Sequence, residues 1–296
     1  MECSALSSRE VRLSAFLRSE LGLSHSLINR LKVQKAIFVN GELRFTNYIV
    51  RPGDRVSVII EEEDPAYPAE PGELRILYED EAVIALDKPA GILIHPSRSR
   101  NSGTLANFLS YYYRETGQHC AVHPVSRLDR DTYGVVLFAK NAHTHALLED
   151  AHMAGKLKKI YEASVFGSDL PDSGLIDAPI LRLSPMGMLR AVGEGGQKAL
   201  TEYRVLERRR DAALLQLRPL TGRTHQLRVH MAHIGHPILG DPQYCSEASK
   251  AYSDSFDLPW QQLCARSLTF PHPITGEEIT LSSQRTVFLP EDPRSI

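Results

Sequence analysis

From residue 74 onward, segments with strand character outnumber those with helical spacing, and the two do not alternate. Short strands are predicted at 76–78, 82–86, 92–94, 161–166, 200–206, 213–217, 262–270 and 278–281. Helical spacing is confined to 103–113, 142–155 and 225–234. A doubly wound sheet needs strand and helix in turn, so this order excludes one. It predicts an α+β fold with a mixed, largely antiparallel sheet flanked by helices and loops.

The chain of 296 residues is long enough for two domains. Residues 9–60 read as a small α/β module. A helix is predicted over 11–23, ended by Gly22, and Ser24 is placed to N-cap a second with Leu27, Ile28 and Leu31 on one face. Asn40-Gly41 is a hairpin signal between a strand at 36–39 and later residues, and 55–60 alternates as a strand. Net charge over the chain is −2, which does not announce a nucleic-acid binder. Its distribution does more: nine Lys and Arg lie between Arg9 and Ile60 against four acids. Residues 61–73 are rich in Glu, Pro and Ala and read as a linker. The second domain is placed at 74–290.

No apolar run approaches the ~20 residues of a membrane span, and Met1 to Glu10 lacks a signal-peptide core. A cytoplasmic protein with no membrane association is expected. Cys3, Cys120, Cys245 and Cys264 are widely spaced with no CxxC pair, which argues for free thiols rather than a zinc knuckle.

Three segments of the second domain concentrate reactive groups. In Ser126-Arg127-Leu128-Asp129-Arg130-Asp131-Thr132, a carboxylate sits between arginines just before an apolar run at 133–139. A loop held by a rigid strand is a common way to present a nucleophile or base. By itself, an Arg-x-Asp is more often a surface ion pair. The second segment is Lys158-Lys159-Ile160-Tyr161, a strand start with a phenol suited to acid or base work. The third runs from Thr221 through Arg223, His225 and Arg228 to His230, and on to Asp241. There Arg223 opens a helix and is a candidate bidentate partner for Asp129. His225, His230, His233 and His236 have no Cys or Glu to complete a ligand set, so no metal is expected and packing or phosphate contact is favoured. Walker A, GxGxxG and Gly-x-Ser-x-Gly patterns are absent.

Taken together, these segments resemble the RluA family of pseudouridine synthases. The family's His-Arg-Leu-Asp-x-x-Thr-Ser-Gly motif is matched at Ser126 to Gly134. Its Lys-x-Tyr-x-Ala motif is matched at Lys159 to Ala163, and Gly-Arg-Thr-His-Gln-(Ile/Leu)-Arg-x-His at Gly222 to His230. Leu86 to Gly91 resembles the family's opening strand and turn. The N-terminal module resembles the S4-type RNA-binding domain, through Arg12-Leu13, Ile28-Asn29-Arg30, Val39-Asn40-Gly41 and Gly53-Asp54. Ser126 stands where the family has His, and Tyr133 where it has Ser.

The resemblance implies an RNA pseudouridine synthase with Asp129, Tyr161 and Arg223 as catalytic residues. Arg127 would fill the space left by a flipped base. Arg12, Arg30, Lys32, Lys35, Lys158, Lys159, His225 and Arg228 would contact RNA. The reaction has no redox step, so no cofactor is implied, and a monomer is expected. Ribosomal large-subunit RNA is the implied substrate, with tRNA as an alternative. A non-catalytic RNA-binding or ribosome-assembly protein and an Asp-dependent N-glycosidase remain open from the residues alone. The latter needs a second carboxylate, for which only Asp131 is near in sequence.

Overall fold

The apolar run after the Asp129 loop forms the strand Tyr133–Ala139, every residue of which is buried. A strand with no solvent face belongs inside a sheet covered on both sides. The computed structural model describes residues 2–23, 25–60, 66–97, 101–184 and 187–291, and it places this strand in a ten-stranded sheet. The sheet's main path runs Ser173–Asp177, Leu200–Arg208, Ala212–Pro219, Lys158–Phe166, Leu263–Pro271, Tyr133–Ala139, Val83–Lys88, Ile76–Glu79. Glu278–Ser282 joins it beside Leu263–Pro271, and His123–Pro124 beside Tyr133–Ala139. All pairings in this sheet are antiparallel except that between Tyr133–Ala139 and Leu263–Pro271. The chain thus adopts the α+β fold with a mixed, largely antiparallel sheet that its strand order predicts.

The parallel junction demands a glycine. Gly134 pairs with Ala265 and takes φ +107°. A Cβ there would lie 2.3 Å from the Ala265 carbonyl oxygen and 2.8 Å from its carbon. Backbone cannot yield as a side-chain tip can. Gly134→Ala is expected to cost about 3 kcal/mol of unfolding free energy in a denaturant titration, from strain and overlap together.

The predicted strand at 92–94 is not one. Gly91 turns the chain at φ +82°, and the Leu93 and Ile94 carbonyls accept the Leu105 and Ala106 N–H groups at 3.0 and 2.9 Å. The segment therefore satisfies the first donors of the helix Leu105–Glu115. Thr104 and Asn107 complete that end as a reciprocal capping box. Residues 66–72, read as linker, dock on the same helix. Asn107 Nδ2 donates to the Pro68 carbonyl at 2.9 Å, and the Gly103 N–H donates to Glu70 Oε2 at 2.6 Å. The first part of the linker, 61–65, lies outside the described residues.

The N-terminal module has its own core. Helices Leu13–Ser19 and His25–Val33 pack Phe16, Leu17, Leu27 and Leu31 against Val39, Val56 and Val58 of a four-stranded sheet. The sheet includes Glu2–Leu6, paired with Arg55–Ile59, upstream of the boundary at residue 9 read from the sequence. The first helix starts later than its spacing predicts, because Val11–Arg12 pairs as a short strand with Ile49–Val50. Ser24, the predicted cap of the second helix, lies outside the described residues. Among the described residues, no helix is long and apolar enough to cross a membrane.

Candidate active site

Asp129 sits in the turn that feeds the buried strand, and the turn is built from beneath. The Thr132 N–H donates to the Asp129 carbonyl at 3.2 Å, closing the turn. Lys88, fully buried at the end of the neighbouring strand, donates to the carbonyls of Pro89, Arg130 and Thr132 at 2.8, 2.7 and 2.8 Å. Burial pushes its pKa down to about 7, while Asp131 and Asp129 pull it up. Three carbonyl acceptors match the three N–H bonds of the ammonium form, which is the form we assign. Gln261 Nε2 donates to Thr132 Oγ1 at 2.6 Å from the other side.

The Asp129 carboxylate is about one quarter exposed, at 27%. Its partner is Arg228, whose Nη1 donates to Asp129 Oδ2 at 3.0 Å. The rest of the guanidinium is committed elsewhere. Nε and Nη2 fork onto Asp241 Oδ2 and Oδ1 at 2.7 and 2.8 Å, and Nη2 also donates to Gln243 Oε1 at 2.8 Å. The Tyr244 ring lies 4.9 Å from the guanidinium carbon. Burial opposes the charge on Arg228, but Asp241 and Asp129 outweigh it and hold the guanidinium protonated above its usual range. Asp241 is itself fixed by the backbone N–H groups of Gln243 and Tyr244. His225 Nε2 lies 3.9 Å from the same Asp129 oxygen.

Tyr161 is buried in the strand Lys158–Phe166, just after a register shift between Ile160 and Tyr161. Its pKa is raised by burial and then by the Asp129 charge, so the phenol keeps its proton. The Asp129 charge thus acts on Tyr161, Arg228, His225 and Lys88 alike.

Arg223 does not pair with Asp129. It is exposed, and its Nε donates to the Lys198 carbonyl at 3.1 Å. It precedes the helix Gln226–His233, where the chain turns through a left-handed residue, whereas Arg228 lies within that helix. The expected Asp129–Arg223 pair is therefore corrected to Asp129–Arg228. Arg228 and His225, expected to contact RNA, turn inward with side chains 6% and 8% exposed. Lys158 pairs with Glu278 at 3.3 Å, and burial pushes the Lys159 pKa down. Arg127 is exposed beside the Asp129 turn.

Asp131 is held bidentately by Arg130, both contacts 2.9 Å, which engages the only other carboxylate in the segment. His230 is fully buried between Thr201 Oγ1 and the Ala178 carbonyl, both 2.9 Å away, and serves the fold. Among the described residues, no grouping of three or more His, Cys, Asp or Glu is arranged to hold a metal. In the N-terminal module, Arg12 is exposed, Arg30 lies in the last turn of the helix His25–Val33, and Lys32, Lys35 and Arg44 border a shallow depression with the exposed Phe45.

Tyr133, one of the two departures from the family motif, points away from the turn. Its hydroxyl donates to the Thr286 carbonyl at 3.3 Å, on the chain that follows the last strand, and lies 3.4 Å from Gln262 Oε1. Ser126 is buried at the start of the Asp129 segment. Asp241, Gln243 and Tyr244 were not singled out as site residues from the sequence. Their one signal is a Gly-Asp turn following the arginine-bearing helix.

A family model described as RNA pseudouridylate synthase matches residues 82–233. The RNA pseudouridine synthase YhcT of Bacillus subtilis is 38% identical over 270 residues, covering 90% of this chain and 87% of that protein. Ribosomal large subunit pseudouridine synthase D of Pseudomonas aeruginosa is 38% identical over 267 residues, covering 86% and 82%. Among solved structures, human RNA pseudouridylate synthase domain containing 1 superposes with a TM-score of 0.60 at 26% identity, covering 73% of this chain and 86% of that one.

Proposed function

The chain belongs to the RNA pseudouridylate synthase family and is an isomerase acting on RNA, and on that premise we propose that it converts a uridine of large-subunit ribosomal RNA with Asp129 as the reacting carboxylate. The observation that carries this reading is the Asp129–Arg228–Asp241 chain, in which a buried guanidinium is fixed at one end and aims its last N–H at Asp129. Such a grip sets the carboxylate's direction before substrate arrives.

The reaction breaks the bond from uracil N1 to ribose carbon 1′, turns the base and forms a bond from carbon 5 to carbon 1′. Carbon 5 loses a proton and N1 gains one, so atoms and electrons balance without an outside reagent. Asp129 supplies the negative group at the glycosidic centre. Tyr161 packs on the uracil. Because its phenol is protonated, it serves as a relay, its oxygen taking the carbon-5 proton as its own hydroxyl proton passes to water, which returns a proton at N1. The uridine must leave its stack to reach this turn, and the exposed Arg127 occupies the space it vacates. The N-terminal module acts as an S4-like grip, with Arg12, Arg30, Lys32 and Lys35 on phosphates and little base selectivity. Lys158 and Lys159, at the start of the strand that carries Tyr161, add phosphate contacts on the catalytic domain.

Large-subunit RNA is favoured by the names of relatives such as the Pseudomonas aeruginosa protein. Pseudouridine mapping across all cellular RNA, with and without the gene, tests the choice. Loss of a pseudouridine from large-subunit RNA in the deletion strain is the expected result. A loss confined to tRNA would replace the substrate while leaving the chemistry in place.

A further inference from the structure

His225 takes φ +57°, in the left-handed region, immediately before the helix Gln226–His233. Glycine enters that region without steric cost, whereas any residue with a Cβ, histidine included, is uncommon there. A histidine held there with its side chain buried has its conformation set by contacts, and such residues gather at working sites. Both ring nitrogens face the Asp129 cluster. Nδ1 lies 2.7 Å from Tyr244 Oη, and Nε2 lies 3.9 Å from Asp129 Oδ2. Tyr244 Oη also accepts the Arg190 backbone N–H at 3.0 Å, and its ring carries the Arg228 guanidinium. One tyrosine therefore touches both side chains that face Asp129.

The carboxylate selects the tautomer. We assign the Tyr244 hydroxyl as the donor to His225 Nδ1, 2.7 Å away. The ring proton then sits on Nε2 and points at Asp129. The other tautomer would turn a lone pair toward a carboxylate, which is repulsive. Burial holds the imidazole neutral against the pull of Asp129, with Arg228 and Arg190 adding to the lowering.

We propose that His225, locked by Tyr244, is a positioning residue for Asp129. Its Nε2–H and Arg228 Nη1 address the same oxygen, Oδ2, from two sides and direct Oδ1 to the substrate. At 3.9 Å the histidine contact is longer than a hydrogen bond in the free protein, and it shortens when RNA covers the site. The proposal rests on Asp129 being the reacting carboxylate.

The test uses the full chain and a large-subunit ribosomal RNA transcript carrying tritium at uridine carbon 5. Single-turnover tritium release is measured at saturating enzyme, and RNA affinity by filter binding. The parent must release tritium, on this transcript or on the RNA that pseudouridine mapping identifies, and Asp129→Asn must not; release by Asp129→Asn removes the reading of Asp129 itself. With both controls met, His225→Asn is expected to slow release by about fiftyfold, and Tyr244→Phe by about tenfold, with Kd changed less than about twofold. His225→Gln is expected to retain more rate than His225→Asn, because its amide N–H reaches where Nε2–H stood. A role limited to the backbone turn gives the opposite order, since asparagine suits the left-handed conformation better. A phosphate-contact role raises Kd and spares the saturated rate. Either of those results, or a parental rate in Tyr244→Phe, overturns the proposal.

Discussion

Asp129→Asn is expected to abolish pseudouridine formation while leaving RNA affinity within about twofold of the parent. The substitution is nearly isosteric, and the amide oxygen can still accept from Arg228 Nη1, the bond that orients this side chain at 3.0 Å. The turn beneath survives as well, because Lys88 holds the Arg130 and Thr132 carbonyls rather than the Asp129 side chain. What disappears is the negative charge and the nucleophilic lone pair. Removing a nucleophile from a catalytic unit typically costs about 10⁴- to 10⁶-fold in turnover. Tritium release should therefore fall below detection while filter binding reports an intact complex. Release within tenfold of the parent would show that Asp129 orients RNA without reacting, and would return the charge between the arginines to a structural ion pair.

What could be read from the sequence follows from how local each signal is. Tyr133–Ala139 was legible because seven apolar or small residues in a row admit few other uses. Ile92 to Ile94 offered the same composition and misled, since the use of its carbonyls depends on a helix that begins at Leu105. Ser173–Asp177 and the hairpin of Ile180–Arg182 with Arg190–Val192 went unseen. Each strand is short and half exposed, so alternation has too few residues to show, and Ser173–Asp177 gains its partner only from Leu200–Arg208. The same distinction governs the site. Asp129 and Tyr161 are each singled out by a short segment that matches a family motif, which is a local signal. The choice between Arg223 and Arg228 is not local, because it depends on where the helix begins and which side of it faces the Asp129 turn. His225 stands outside that helix, as the left-handed residue before it, and reaches the Asp129 side from there. Asp241, thirteen residues on from Arg228, then decides which guanidinium is buried. Arg223, with no such acid, stays on the surface.

That dependence on Asp241 gives Arg228 two separable duties, one to the fold and one to the reaction. Arg228→Met should lower unfolding free energy by about 3–5 kcal/mol, because it strands the Asp241 carboxylate, fully buried, without its counter-charge. Turnover should fall by about a hundredfold or more, since Asp129 loses its orienting N–H. The pair Arg228→Met with Asp241→Asn distinguishes the two duties. With no charge left to strand, much of the stability returns, as it commonly does when both members of a buried ion pair are neutralised together. The amide oxygen introduced by Asp241→Asn can still accept the Gln243 and Tyr244 N–H groups that Asp241 Oδ1 accepts now, at 2.9 and 3.1 Å. Asp129 nonetheless remains without its partner, so tritium release should stay low in the double variant despite its recovered fold. Denaturant titration and single-turnover release on the parent, the two single variants and the double variant measure both quantities. If stability and turnover recover together, Arg228 acts on the reaction only by keeping the chain folded, and the grip on Asp129 has no part in catalysis. If stability recovers alone, Arg228 serves the reaction directly through its N–H to Asp129, and low turnover in the single variant Asp241→Asn would add that the buried Asp241 aims the guanidinium.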